Sequence, residues 1–260
     1  MLNVLSVPAR RALRRHAGLA TLAAALLVAG CGQKSEAANS AAPATTAASG
    51  AGATKGANWP GTVSKTKDGG FIMGNPNAPI KLVEFASFTC PHCADFHKNA
   101  AAELKSEFIA SGKLSYEFRN IVLNGPDAAM SLIVRCEGTK RFFPVADIVF
   151  TRQADWVKGF QSISPEQQKQ LETTPQDQQL AVLTQMGGLD TWLKQVGIPK
   201  SRIDQCLAKK DDLNTLNDIR KVAFETYKIN GTPSFVINGE SFDGQPTWPA
   251  LKAKLLDLTK

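Results

Sequence analysis

The sequence predicts an α/β fold in which a β-sheet is interrupted by a long block of helices. An apolar run at Ile80–Phe88 has the composition of a central strand, and alternation over Leu114–Phe118 predicts a second strand. Between residues 125 and 220 the apolar residues recur instead at helical spacing. Strand character returns at Gly231–Ile237, and the following Asn238-Gly239 is a strong hairpin signal. The order strand, helix, strand, helical block, helix, hairpin, helix therefore predicts one sheet with a helical insertion.

The first part of the predicted fold contains the strands and the helix that connects them. We expect the folded region to start near Asn58 and Phe71–Met73 to form a short edge strand. A helix is predicted over Pro91–Ala110, where Ser111-Gly112 would stop it. Because a helical crossover returns the chain in the same direction, Leu114–Phe118 should pair parallel to the first strong strand.

The insertion and the C-terminus are predicted to be helical. The candidate helices are Asp127–Glu137, Phe143–Val157, Pro165–Leu171, Pro175–Gly187, Asp190–Val196, Pro199–Lys209, Asp211–Tyr227 and, after the hairpin, Trp248–Leu258. Leu180, Leu183, Met186 and Trp192 fall at helical spacing, so we assign them to the core rather than to a ligand site.

Residues 1–30 have the features of a lipoprotein-type signal peptide. Four arginines between positions 10 and 15 precede an apolar run at Leu19–Ala29 that is too short to span a bilayer. Val28–Cys31 resembles a bacterial lipobox, in which the cysteine is lipidated and becomes the first mature residue; the alternative is an ordinary cleaved signal with a chance cysteine. Residues 31–57 are rich in Ala, Thr, Ser and Gly and predict a flexible tether. We therefore expect membrane attachment through this cysteine.

The charge of the chain is concentrated in this leader. The formal net charge is +7, and the leader contributes four arginines without any acidic residue, which leaves +3 for the remainder. Further along the chain, lysines and arginines do not cluster with interleaved aromatic residues, so we predict no nucleic-acid binding.

Cysteine parity predicts a structural disulfide. The chain has five cysteines, and lipidation of Cys31 would leave four, an even number that suits an oxidising compartment. If Cys90 and Cys93 pair with each other, Cys136 and Cys206 remain as the second pair. Closing that long loop would stabilise the fold by about 4 kcal/mol. The alternative is two buried free thiols.

The run Cys90-Pro91-His92-Cys93 is the strongest chemical signal. It lies where a strand passes into a helix, so one thiol sits at a helix N-terminus, where backbone N–H groups and the helix dipole favour a thiolate. Pro91 suits the first helical position, where a missing N–H has no cost. The motif predicts a reactive redox dithiol. A zinc half-site completed in part by His97 is the alternative, although a tetrahedral site would need further ligands.

These motifs together resemble the DsbA-type thiol:disulfide oxidoreductases. The matching pieces are LVEFASFTCPHC (Leu82–Cys93), FFPVADIVFTRQADW (Phe142–Trp156) and INGTPSFVING (Ile229–Gly239), and the first and third occur in the family's order and separation. The resemblance covers Asn58–Lys260.

The resemblance implies a thioredoxin fold with an inserted all-helical domain. Residues 58–124 and 221–260 would form the thioredoxin-like domain, and 125–220 the insertion. Cys90 matches the family's exposed nucleophile and Cys93 its buried resolving partner, and Pro91-His92 match the dipeptide between them. Thr232-Pro233 matches the loop whose proline is cis and faces the disulfide.

Three further residues are interpreted with the resemblance. Glu84 matches the family's buried acid and would exchange a proton with Cys93; the alternative is an outward-facing charge. His92 would help to stabilise a Cys90 thiolate, or would be an exposed loop residue without an electronic role. His97 departs from the pattern, since a well-known member has an acid there.

The implied activity is that of a dithiol oxidase that donates the Cys90–Cys93 disulfide to reduced exported proteins. Such an enzyme needs no cofactor and no metal, and by resemblance it is reoxidised by a quinone-linked membrane partner. We expect a monomer in the periplasm of a Gram-negative bacterium. The alternatives are a monomeric disulfide reductase or isomerase of the same superfamily, and a metal-binding lipoprotein that uses Cys90, Cys93 and His97. Dimeric isomerases carry a sizeable N-terminal dimerisation domain, for which the stretch before the first strong strand is too short.

Overall fold

The computed structural model describes residues 57–260. The predicted leader, Cys31 and nearly all of the predicted tether lie outside these described residues. Among residues 57–260, no helix combines the length and apolar character that a membrane crossing requires.

The described part of the chain is built on a mixed sheet of six strands. The strands are β1 (Val63–Lys65), β2 (Phe71–Gly74), β3 (Ile80–Ala86), β4 (Leu114–Asn120), β5 (Ser234–Ile237) and β6 (Glu240–Ser241). Their spatial order is β1-β2-β4-β3-β5-β6. Strands β3 and β4 pair in parallel, with Leu82 opposite Tyr116, and every other pairing is antiparallel. The expected parallel pair therefore forms the centre of the sheet.

The crossover between the two central strands is helical. Helix α1 (Pro91–Glu103) follows β3 and continues without a break into a π-helical turn at Leu104–Ile109, which the sequence did not predict. The turn is marked by the bond from Ala110 N to Lys105 O, one residue wider than an α-helical bond. Gly112, with a φ of 73°, then directs the chain into β4.

Helices fill the region between β4 and β5, as the spacing predicts. They are α2 (Gly125–Cys136), α3 (Gly138–Thr151), α4 (Gln153–Gln161), α5 (Pro165–Thr173), α6 (Gln179–Met186), α7 (Leu189–Gln195), α8 (Lys200–Leu207) and α9 (Lys210–Glu225). Helix α10 (Trp248–Leu258) follows the hairpin. The fold class predicted from the sequence is confirmed.

Two of the predicted helices differ from those in the structure. The single helix expected at Phe143–Val157 is two helices, which meet at Arg152, and the first begins upstream at Gly138. Pro144 lies inside α3 on its exposed face, where water can satisfy the carbonyl that loses its N–H partner. Helix α6 begins at Gln179 rather than at Pro175, because Pro175 starts a separate turn closed by the bond from Gln178 N to Pro175 O.

An aromatic core joins the helices to the sheet. Phe71 of β2 stacks on Phe142 of α3 with ring centroids 3.8 Å apart. Phe88, which follows β3, lies 5.6 Å from Phe118 of β4 and 5.1 Å from Phe150 of α3. Since all five side chains are buried, packing holds the loop after β3 against the sheet and against α3.

Candidate active site

The two cysteines of the CPHC motif lie where β3 passes into α1. Cys90 is the N-cap residue in an extended conformation, and Pro91 occupies the first helical position. Cys90 is 6% exposed, whereas Cys93, one turn further on, is completely buried. Both are free thiols in the structure. Both cysteines are therefore buried, and Cys90 alone keeps a small exposed fraction.

The environment of Cys90 favours the thiolate. A hydrogen bond from the Cys93 thiol makes the largest contribution and lowers the pKa of Cys90. Partial burial raises this pKa, whereas Thr232 and the backbone N–H groups of Cys93 and His92 lower it further. The resulting pKa of Cys90 is about 5. Burial raises the pKa of Cys93 far above its ordinary value, and the negative charges of Cys90 and Glu84 raise it further. At neutral pH the reduced site therefore holds one thiolate and one thiol.

Glu84 lies in the central strand behind these sulfurs. Its side chain is 2% exposed, and Tyr116 Oη donates a hydrogen bond of 2.5 Å to its carboxylate. Burial raises the pKa of Glu84 to about 7, which the Tyr116 hydrogen bond opposes and the charge of Cys90 supports. A carboxyl group with this pKa can both accept and donate a proton near neutrality.

The loop before β5 closes the site from the other side. Strand β5 pairs with β3, with Ser234 opposite Phe85. This pairing brings Thr232 and Pro233 to the end of the sheet from which Cys90 projects. The Thr232–Pro233 peptide bond is cis, which is the isomer that the resemblance implied. Cys90 Sγ lies 3.2 Å from the carbonyl oxygen of Thr232.

The two histidines near the motif have different surroundings. His92 is exposed, and the contact that lowers the pKa of Cys90 comes from its backbone N–H rather than its ring. His97 is half-buried, with Nε2 2.9 Å from Asp147 Oδ1 and its ring 5.0 Å from that of Phe150. Within residues 57–260, His, Cys, Asp and Glu side chains form no group of three or more that could hold a metal ion.

The second cysteine pair is bonded in the structure. Cys136, at the end of α2, and Cys206, in α8, have their sulfur atoms 2.12 Å apart. The bond closes a sequence separation of 70 residues and links the first helix of the insertion to its penultimate one.

Sequence reasoning missed three residues that contact the site. Tyr116 binds Glu84 from the neighbouring strand, Gln153 donates to backbone carbonyls of the loop before α1, and Asp127 accepts from the same loop. Asp127 was predicted only as the first residue of its helix. Asp127 is completely buried, and the sequence contains one indication of this. Asp127 follows an Asn-Gly-Pro helix start, which places it in the first turn of the helix and against the preceding loop.

Fold and site together define a thioredoxin-like protein with a helical insertion and a CPHC dithiol at a helix N-terminus. The chain belongs to the thioredoxin family: the family model described as "Thioredoxin" matches residues 66–257. A solved structure of a DsbA-type protein shares this fold.

These relatives and solved structures carry names from disulfide chemistry. A Rickettsia prowazekii protein named as a protein-disulfide oxidoreductase is 28% identical over 176 residues, which cover 67% of this chain and 56% of that protein. The chain thus spans little more than half the length of this curated relative. A Novosphingobium aromaticivorans structure, named as a protein-disulfide isomerase, aligns with a TM-score of 0.68 and 28% identity, over 72% of this chain and 95% of that one. Wolbachia pipientis alpha-DsbA1 shares the fold, with a TM-score of 0.56, 22% identity, and 72% and 88% coverage.

Proposed function

We propose that this protein is a thiol:disulfide oxidoreductase that donates the Cys90–Cys93 disulfide to reduced exported proteins. The observation that carries the proposal is the environment of Cys90, which lowers its pKa to about 5. Stabilising the thiolate stabilises the reduced enzyme, and a stable reduced form makes the corresponding disulfide a strong oxidant. DsbA is the established example of this relation between a low cysteine pKa and oxidising power.

The proposed reaction has two exchange steps. A client thiolate attacks Cys90 Sγ of the oxidised enzyme, forming a mixed disulfide and breaking the bond to Cys93, whose sulfur leaves with the electron pair. Since the pKa of Cys93 is raised by burial, this sulfur takes up a proton, and we assign the donor to Glu84, whose charge acts on Cys93. A second client thiolate then attacks the client sulfur of the mixed disulfide and releases Cys90 as a thiolate. The client loses two electrons, and the enzyme keeps them as one thiolate and one thiol.

The remaining site residues receive supporting roles in this proposal. Pro91 begins the helix whose N–H groups face the nucleophile, and His92 contributes one of those N–H groups. Thr232 and Pro233 flank Cys90, where the backbone of Thr232 can pair with an extended client chain. Cys136 and Cys206 form the structural disulfide.

The setting of the enzyme is also a proposal. We place it in the periplasm of a Gram-negative bacterium as a monomer, anchored through lipidated Cys31, with reoxidation by a quinone-linked membrane partner. Residues 58–124 and 221–260 would form the thioredoxin-like domain, and 125–220 the helical domain. This last boundary falls inside α9, so that helix would belong to both parts.

A trapping experiment tests the mechanism. In protein carrying Cys31→Ser and Cys93→Ser, Cys90 is first converted to a mixed disulfide with Ellman's reagent. A reduced test protein with a single cysteine should attack Cys90 Sγ, release thionitrobenzoate and remain bound as a mixed disulfide, because no second thiol is present to resolve it. The matched control is Cys90→Ser in the same background, which should trap none. Equal trapping by both variants, or none by either, would contradict the proposed nucleophile.

A second candidate is a disulfide isomerase or reductase, which the name of the Novosphingobium aromaticivorans protein favours. Equilibration with glutathione separates these roles, since the reduction potential is about −120 mV for DsbA, about −180 mV for protein disulfide isomerase and about −270 mV for thioredoxin. A value close to that of thioredoxin would favour the reductase.

A further inference from the structure

We infer that Gln153 is a positioning residue for Cys90, held over the active-site loop by a helix break that Trp156 caps. This inference rests on the proposed function only in taking Cys90 as the nucleophile. Gln153 is the first residue of α4, and its side chain is half-buried against the loop between β3 and α1.

Gln153 makes two hydrogen bonds to the backbone of this loop. Its Nε2 donates to Phe88 O at 2.8 Å and to Cys90 O at 2.9 Å. These two carbonyls flank Thr89, so a single amide group fixes the backbone on both sides of the residue that precedes the nucleophile. The same Cys90 carbonyl accepts the N–H of Ala94, so Gln153 acts on the first turn of α1, whose N–H groups face the sulfur.

The helical region contacts the loop at further points. Asp127 Oδ1 accepts the N–H of Phe88 at 3.0 Å, and Asn124 Nδ2 lies 3.0 Å from Thr89 Oγ1. Both residues belong to the start of α2. Gln153 is the contact from this region that reaches the nucleophile's own backbone.

A break between α3 and α4 places Gln153 over the loop. Arg152 has φ −110° and ψ 26°, which are not helical values. In an unbroken helix the N–H of Gln153 would donate to Val149 O. That carbonyl instead accepts Trp156 Nε1 at 3.0 Å, from a side chain that is almost completely buried. The indole therefore replaces the hydrogen bond that the break removes, and the break can persist in the core without an unpaired carbonyl.

The Gln153 hydrogen bonds should affect the pKa of Cys90 as well as the stability of the fold. The low pKa of Cys90 depends on short contacts from Cys93, Thr232 and two backbone N–H groups. Without the Gln153 amide, the loop carrying Cys90 has more freedom, and these contacts are made for a smaller fraction of the time. The thiolate should then be less favoured, while the rest of the fold is retained.

The test uses Gln153→Met, which keeps side-chain volume and helix propensity but removes both donors. Thiolate absorbance of the reduced protein is followed against pH. We expect the Cys90 midpoint to rise by about 0.5–1 pH unit, the equivalent of one ordinary hydrogen bond. Alkylation by iodoacetamide at about pH 5 should then slow about two- to fivefold. The matched control is Gln179→Met, because Gln179 Nε2 makes a comparable bond to Thr174 O within the helical region; its midpoint should match the unsubstituted protein.

Trp156→Phe is a second variant, which tests the same positioning role if Gln153→Met is unstable. Trp156→Phe retains a buried ring but lacks the N–H, and it should shift the Cys90 midpoint in the same direction. Because Trp156 acts through Gln153, the double variant should shift no further than Gln153→Met alone.

Three outcomes of these titrations would contradict different parts of the proposal. A Cys90 midpoint that is unchanged in Gln153→Met and in Trp156→Phe, with loss of stability only, would overturn the positioning role. Fully additive shifts in the double variant would overturn the link through Trp156. A midpoint at the ordinary alkaline value of a thiol in the unsubstituted protein would instead defeat the proposed function itself.

Discussion

Tyr116 and Glu84, on the two central strands of the sheet, share a hydrogen bond of 2.5 Å in the interior behind Cys93. The hydroxyl donates to the carboxylate and so stabilises its charged form, against the burial that raises the pKa of Glu84 to about 7. Burial in turn raises the pKa of Tyr116 well above its ordinary value, so the phenol remains a donor at every relevant pH. The pair sets the pH at which Glu84 can exchange a proton.

Tyr116→Phe should shift the proton exchange of Glu84 to higher pH. Loss of the donor leaves burial less opposed, so the pKa of Glu84 should rise by about one unit above its present value. The pH profile of the step that depends on Cys93 should move in the alkaline direction by the same amount, measured by stopped-flow reaction of the enzyme with a reduced peptide. Tyr227→Phe is the matched control, because Tyr227 packs on Phe85 with ring centroids 5.6 Å apart in a separate apolar cluster. A profile shifted equally by both substitutions would contradict the assignment.

Glu84→Gln should slow the Cys93 step and stabilise the reduced protein at alkaline pH. The native pKa of about 7 lies above the ordinary value of 4.5, so the folded state binds more protons between these values and stability falls as pH rises through this window. Removing the charge should restore up to about 3 kcal/mol at about pH 8 and nothing at about pH 4. Loss of the proton donor should slow the step about 100-fold. Urea unfolding at the two pH values tests the first effect, and an equal gain at both would refute it.

Asp127→Ala should destabilise the loop before Cys90. The carboxylate is fully buried and accepts hydrogen bonds from the N–H groups of Phe88 and Leu123, each at 3.0 Å. Leaving these donors unpaired should cost about 3–5 kcal/mol in urea unfolding at about pH 7. Asp204→Ala is the control, since that carboxylate is 52% exposed in a surface ion pair, and its loss should cost about 0.5 kcal/mol or less.

The same carboxylate should contribute to the pH dependence of stability. Burial raises the pKa of Asp127 from 3.8 to about 6. The folded protein therefore binds the extra proton between these values, and this group's contribution to stability declines as pH rises from about 4 to 6. The decline should disappear in Asp127→Ala, when unfolding is measured across that range.

Replacing Cys136 and Cys206 together by alanine should lower stability without changing the redox site. Their bond closes a separation of 70 residues, for which chain entropy predicts a loss of about 4 kcal/mol. The pKa of Cys90 should stay near 5, because neither residue contributes to it. Urea unfolding combined with thiolate titration measures both, and a shifted titration would show that the bridge also shapes the active site.

The sequence predicted the parts of the molecule that local pattern controls. The alternation of β3 and β4, the CPHC helix start and the Asn-Gly hairpin all depend on neighbouring residues, and each is found where expected. The break at Arg152 could not be predicted, because it depends on tertiary burial: the Trp156 indole donates to Val149 O, seven residues earlier, in the interior of the protein. Val63–Lys65 was missed because so short a strand cannot show a period.

The same distinction applies to the site. Cys90, Cys93, Glu84 and Thr232-Pro233 lie in motifs that can be recognised along the chain. Tyr116 and Gln153 reach the site from another strand and another helix, so their positions follow from tertiary packing alone. The π-helical turn after α1 likewise carries no breaker residue that would indicate it.

Both lateral borders of the sheet are poor templates for additional strands. β1 at one border is three residues long and mostly exposed, and β6 at the other consists of Glu240 and Ser241. Short, polar borders discourage unplanned docking of foreign backbone and the aggregation that follows. This arrangement would suit the proposed function, because an extended client chain could then pair with the backbone of Thr232 beside Cys90 rather than with β1 or β6.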